Sequence, residues 1–120
     1  MYERHITGAN GEQKVQQYLI NKNYKVIDTN FECKFGEIDI IARDLNTEYL
    51  VFIEVKTRTN GLYGVPADAV TPKKRKHFFK SIEYFLYKYN LQKEFVRIDV
   101  IEVYNMKNTY KINHIKQAFF

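Results

Sequence analysis

Three side chains have types and spacing that could do chemistry together: Asp39, Glu54 and Lys56. Each lies in a stretch that otherwise reads as β-strand, Glu37 to Arg43 for the first and Tyr49 to Thr57 for the other two. Strand side chains alternate faces. Glu37, Asp39 and Ile41 are therefore expected on one face, and Ile38, Ile40 and Ala42 on the other. Glu54 and Lys56 share a face with Leu50 and Phe52, opposite Val51, Ile53 and Val55. If the turn from Asp44 to Glu48 is centred between Asn46 and Thr47, an antiparallel hairpin sets Asp39 opposite Glu54 and Glu37 opposite Lys56. Directly opposed β-carbons lie about 4.5–5.5 Å apart. Two carboxylates that close repel each other, a cost that a divalent cation would offset. Lys56 points the same way and would reach whatever the cation holds. A plainer reading pairs Glu37 with Lys56 and satisfies Asp39 with a backbone amide. It gives no reason for two acids to be opposed.

Two further groups bear on this site. Glu12 precedes Val15 by three residues and Leu19 by seven, on the core-facing stripe of a helix, where a carboxylate must be paired or look into a polar cleft. Alone, it is also an ordinary helix-start acid. Lys73, Lys74, Arg75, Lys76 and Lys80 crowd the first turns of a second helix, with His77 among them and no acid before Glu83. Cations at a helix amino terminus oppose its dipole, at about 0.3–1 kcal/mol each. A cluster that works against its own helix suits a bound phosphate better than it suits the alternative, a solvated basic face. Arg97 and Asp99 read as a structural ion pair, and no two histidines are spaced as metal ligands.

The elements that must position these residues follow from periodicity and punctuation. A first helix is expected from Thr7 to about Lys22, capped by Thr7 or Asn10 and ended by Asn23. Strands follow over Tyr24–Cys33, Glu37–Arg43 (after a Phe35-Gly36 turn) and Tyr49–Thr57, then a loop from Arg58 to Pro66. Thr71 and Pro72 start the second helix, with Phe78, Ile82, Phe85 and Leu86 as its apolar stripe and Asn90 as its terminator. Phe95–Tyr104 and Tyr110–Ile115 are the last strands, with a turn from Asn105 to Asn108 between them. The order α-β-β-β-α-β-β implies an α/β protein, a mixed sheet flanked by helices.

The bulk numbers set bounds. At 120 residues the chain makes one domain, residues 1–120. Nineteen Lys and Arg against fourteen Asp and Glu leave a formal charge of +5, which favours an anionic partner. A lone Cys33 excludes an internal disulfide and a multi-cysteine zinc site, and suits a reducing compartment. The start of the chain opens no apolar run of signal-peptide type, and Tyr49–Ile53 is too short to span a bilayer. A cytoplasmic protein without a membrane partner is expected; a homodimer is left open.

Gly36-Glu37-Ile38-Asp39 followed by Phe52-Ile53-Glu54-Val55-Lys56-Thr57-Arg58, with Gly11-Glu12, Tyr18-Leu19, Asn30, Gly64, Pro66, Val70-Thr71-Pro72, Lys74 and Arg97-Ile98-Asp99-Val100, resembles the YraN family of small bacterial proteins. That family is similar to Holliday-junction resolvases of the PD-(D/E)xK nuclease superfamily. The resemblance implies a restriction-endonuclease-like α-β-β-β-α-β core. It implies that Asp39 and Glu54 are metal ligands, that Lys56 orients or activates the attacking water, and that Glu12 is an accessory acid that reaches the metal directly or through water; Glu37 and Lys74 also match. Ile38 replaces the superfamily's proline, as it does in the YraN pattern. The expected function is metal-dependent hydrolysis of phosphodiesters in DNA, including branched or damaged DNA, with Mg2+ or Mn2+. Arg58, Lys73, Lys74, Arg75, Lys76 and Lys80 are the expected nucleic-acid contacts. The alternative is a non-catalytic nucleic-acid-binding module that uses the basic helix.

Overall fold

The protein is described by a computed structural model over residues 3–59 and 71–118. Its elements are α1 (Glu3–Asn21), β1 (Tyr24–Cys33), β2 (Gly36–Asp44), β3 (Leu50–Thr59), α2 (Pro72–Lys88), β4 (Val96–Met106) and β5 (Thr109–Ile115). They form one five-stranded sheet in the order β1-β2-β3-β4-β5. Only the β3–β4 pairing is parallel, because α2 carries the chain between those two strands. The expected element order and mixed α/β class are the observed ones.

β3 lies in the middle of the sheet, and its alternation divides the interior. Leu50 and Phe52 pack with Phe78, Ile82 and Phe85 of α2, whereas Val51 and Ile53 pack with Val15 and Leu19 of α1. The helices thus cover opposite faces. Phe85 anchors the α2 side, its ring 5.1 Å from that of Phe31 and 5.6 Å from that of Phe52. Truncating such a buried ring to alanine costs about 3–5 kcal/mol.

Several expectations need correction. α1 begins at Glu3, so Thr7 and Asn10 lie inside the helix rather than at its start. The β1–β2 turn is Lys34-Phe35, with Gly36 already in β2. β4 runs to Met106, which shortens the last turn to Lys107-Asn108. β3 continues through Arg58 to Thr59, and the rest of the expected loop, with Gly64, Pro66 and Val70 of the family pattern, falls outside the described residues. Thr71 does cap α2, accepting from the Lys74 amide at 3.1 Å. Asn23 and Asn90 do end the helices, at φ 70° and 57°.

Ile38 does not follow Ile40 and Ala42 to the α1 side; it packs with Phe31 on the α2 side. The cause is local. Asn30 takes φ 53°, a left-handed backbone in mid-strand, between the Thr29–Ile40 and Phe31–Ile38 pairs, and so across from Asp39. On the other flank, the β2–β3 ladder runs from Arg43–Leu50 to Ile40–Ile53 and goes no further. Asp39 therefore sits where regular pairing lapses on both sides.

Candidate functional site

The hairpin register is the one the sequence implies: residue numbers of paired positions in β2 and β3 add to the same total throughout, and one step beyond Ile40–Ile53 comes Asp39 beside Glu54. Because the ladder has ended there, the Val55 amide donates to Asp39 Oδ2 at 2.8 Å instead of to a main-chain carbonyl. The plainer reading was right about that amide. It was wrong about Glu37 and Lys56. Glu37 pairs in register with Glu32 of β1, and Lys56 Nζ meets Glu54 Oε2 at 2.8 Å. These are side chains two apart on one strand face, which is what alternation predicts.

Asp39 is the electrostatic anomaly. Burial, together with the charges of Glu12, Glu54 and Glu37, pushes its carboxyl up to about 6 against the pull of the Val55 amide. Glu37 is raised as well, by burial and then by Glu32 and Glu12. Glu12 is thus close enough to act on both. Gly11 lies at this approach: a β-carbon there would meet Thr57 Oγ1 at 2.8 Å, so a larger residue would require that hydroxyl to move. The Gly11-Glu12 pair brings an acid to the end of the sheet where Asp39 lies.

Glu37, Asp39 and Glu54 form the floor of a cleft of about 540 Å³, and the start of α2 supplies its rim through Thr71, Lys73, Lys74 and His77. The basic cluster divides at this point. Lys73 and Lys74 line the cleft; Arg75 and Lys76 are exposed outside its lining; Lys80 lies along the helix, its Nζ 5.6 Å from the centre of the Phe35 ring. Arg58 is engaged elsewhere on the same sheet face, 3.5 Å from Glu102 Oε2.

Three side chains of this region escape a reading by motif. His77 lines the cleft and is held by the Phe35 carbonyl, 3.2 Å from its Nδ1. Its spacing of three and four residues from Lys74 and Lys73 puts it on the same helix face. Glu102, buried and in register with Lys56 across the parallel pair, accepts from Tyr104 at 3.0 Å and Asn113 at 2.9 Å. Its alternation with Ile98 and Val100 was the available signal. The third is Phe35, which also lines the cleft.

Among the described residues, no group of three or more His, Cys, Asp or Glu side chains is placed to hold a metal ion. A closed protein cage is therefore not what the site offers. Magnesium keeps several of its waters and is commonly held by one or two carboxylates plus phosphate oxygens. Asp39 and Glu54 suit that mode: burial first, and then the charges of Glu12, Glu54 and Glu37, disfavour the ionised Asp39, and a dication would offset both.

The fold and cleft define a mixed α/β protein with an acidic floor under a basic helix start. The chain belongs to UPF0102, described as an uncharacterised protein family, whose model matches residues 11–103. This is the YraN-like family expected from the motifs. A UPF0102 protein of Caldicellulosiruptor saccharolyticus is 43% identical over 114 residues, covering 93% of this chain and 95% of that one. A UPF0102 protein of Alkaliphilus oremlandii is 41% identical over 114 residues, covering 93% and 96%. The crystal structure of SSO0001 is similar at a TM-score of 0.33, with 14% identity over 95% of this chain and 52% of that one, a likeness too slight to bear on either fold or function. Among the described residues, no helix is long and apolar enough to cross a membrane.

Proposed function

We propose that the protein is a metal-dependent nuclease of the restriction-endonuclease-like class, hydrolysing phosphodiesters in DNA, branched or damaged forms included, in the cytoplasm. One observation carries this reading: an acidic floor and a basic rim face each other across one cleft. The floor asks for a cation and the rim for an anion. A divalent ion on a nucleic-acid phosphate satisfies both.

Asp39 and Glu54 would hold Mg2+ or Mn2+, which when bound supplies Lewis acidity at the phosphoryl group and a more acidic water. The remaining work falls to the chain. Lys73 and Lys74, at the amino end of α2, receive the phosphate, where main-chain N–H groups and the helix dipole add to their charge. Lys56 is outside the cleft's lining but is held at 2.8 Å by Glu54, which lines it; the bond leaves further N–H groups for a water or an oxyanion. Val55 orients Asp39 through its amide. Glu12 adds charge from α1, which strengthens the demand for a cation.

A cleavage screen over linear, flapped and four-way DNA, with magnesium and with manganese, tests the proposal. Cutting that depends on metal, and that Asp39→Asn abolishes, is the expected result. Wild-type protein that binds DNA but cuts none of the three shapes with either metal leaves the binding module, with the basic helix as its contact surface.

A further inference from the structure

The two residues at the tip of the β1–β2 hairpin are Lys34 and Phe35, between the paired Cys33 and Gly36. Such tips favour Asn, Asp or Gly, and an aromatic ring serves no turn requirement. Nor does Phe35 serve the interior: half-buried, it belongs to neither buried cluster and lines the same cleft as Asp39. α2 nonetheless holds it in place. His77 bonds its carbonyl, the Tyr84 ring stands edge-on at 6.5 Å, and the ammonium groups of Lys34 and Lys80 lie 5.2 and 5.6 Å from the ring centre.

The contacts on the helix form a line. Lys73, His77, Lys80 and Tyr84 are spaced i, i+4, i+7 and i+11, one face of α2 extending about 16 Å from the cleft. Cations alternate with rings along it, and Tyr84 is 39% exposed. An alternation of basic groups with aromatic faces matches one kind of ligand, a nucleic-acid strand whose bases are unpaired. Cations take the phosphates while rings stack on the bases. Duplex DNA keeps its base faces inside its own stack and offers phosphates and groove edges but no base face to stack on.

We infer that Phe35, flanked by Lys34 and Lys80, is a stacking platform for an unpaired base, and that the DNA delivered to the cleft is single-stranded at that point. This rests on the nuclease reading for its cleft and names the substrate class. Binding to the platform needs no metal and no cutting.

The test is fluorescence anisotropy of the metal-free protein, in EDTA, with a labelled single strand, a duplex of the same sequence and an abasic single strand. Wild-type protein is expected to prefer the single strand. Phe35→Ala should lose about tenfold of that affinity with the salt slope unchanged, since the phosphates stay neutralised as before. It should leave duplex and abasic binding as they are. Phe35→Trp should restore the preference, which guards against a hairpin that alanine merely loosens. Equal losses on single strand and duplex, no loss on either, a wild-type preference for duplex, or no binding to any of the three would each overturn the inference. Failure of the nuclease reading looks different: no cleavage with magnesium or manganese, while the stacking preference in EDTA stands.

Discussion

Two acids on opposite faces of the sheet, Asp99 fully buried and Asp39 half-buried, sit in opposite surroundings. On the α1 side, Asp99 is fully buried and surrounded by donors: Arg97 Nε at 3.0 Å, His114 Nε2 at 2.7 Å and the Gln117 amide at 3.2 Å. Arg97 also reaches Asp44 at 3.0 Å and the Tyr24 hydroxyl at 2.7 Å, and His114 Nδ1 meets the Tyr18 hydroxyl at 2.9 Å. Burial alone would raise Asp99, but the bonds from His114 and Arg97 and the guanidinium charge outweigh it and hold the carboxyl below its ordinary range. On the α2 side, burial of Asp39 is opposed by one backbone amide and reinforced by Glu12, Glu54 and Glu37. A buried acid is thus no functional signal in itself. The direction in which its surroundings push it is what distinguishes the tie at Asp99 from the site proposed at Asp39.

That contrast can be broken at either face. The largest effect is expected at the cleft and on catalysis: Lys56→Ala should slow metal-dependent cleavage by at least about a hundredfold, the loss typical of removing one preorganised donor. It should leave magnesium affinity, read by calorimetry, nearly intact, whereas Asp39→Asn should lose both cleavage and metal binding. The next effect is on stability at the matched face. Arg97→Ala strands Asp99 and Asp44 in the interior, and should cost about 3–5 kcal/mol in denaturant unfolding.

Acid should act on the Asp99 network and on Asp39 with opposite sign. Asp99 and Asp44 titrate lower when folded than unfolded, so their contribution is present above about pH 4 and is lost as pH falls through their folded values. Asp39 titrates at about 6 when folded against 3.8 unfolded. Its contribution is present below pH 3.8 and is lost as pH rises through about 6. Metal-free Asp39→Asn should therefore match or exceed wild type above pH 6, by no more than about 3 kcal/mol. Unfolding curves between pH 4 and 8 check this, and a variant that weakens with rising pH as wild type does would refute it. Magnesium at a hundred times its dissociation constant should recover about 2.7 kcal/mol in wild type and nothing in the variant.

The smallest effect concerns the rim. Replacing Lys73, Lys74 and Lys76 with Gln should flatten the salt dependence of DNA binding by about 0.9 for each duplex phosphate that is no longer neutralised. Because Lys76 stands outside the cleft lining, restoring it alone should recover less of the slope than restoring Lys73 or Lys74.

What the sequence determined by itself is local and periodic. Alternation along Tyr49–Thr57 put Glu54 and Lys56 on one face; the turn at Asn46-Thr47 set the register that brings Asp39 beside Glu54; Thr71-Pro72 and the asparagines at 23 and 90 marked helix ends through their backbone preferences. Tertiary structure alone decided which face α2 covers, and hence that Lys73 and Lys74 overhang the acids while Arg75 and Lys76 do not. It also decided that Arg58 turns to Glu102 and that His114 closes the Arg97–Asp99 network from β5. The left-handed Asn30, which sends Ile38 to the α2 side, was legible only as a motif residue. The physical reason is range. Propensity, alternation and short turns act over a few residues of chain. The state of a buried charge depends on every group within a few ångströms, and those groups arrive here from α1, β2, β3 and α2 at separations in sequence that no local pattern records.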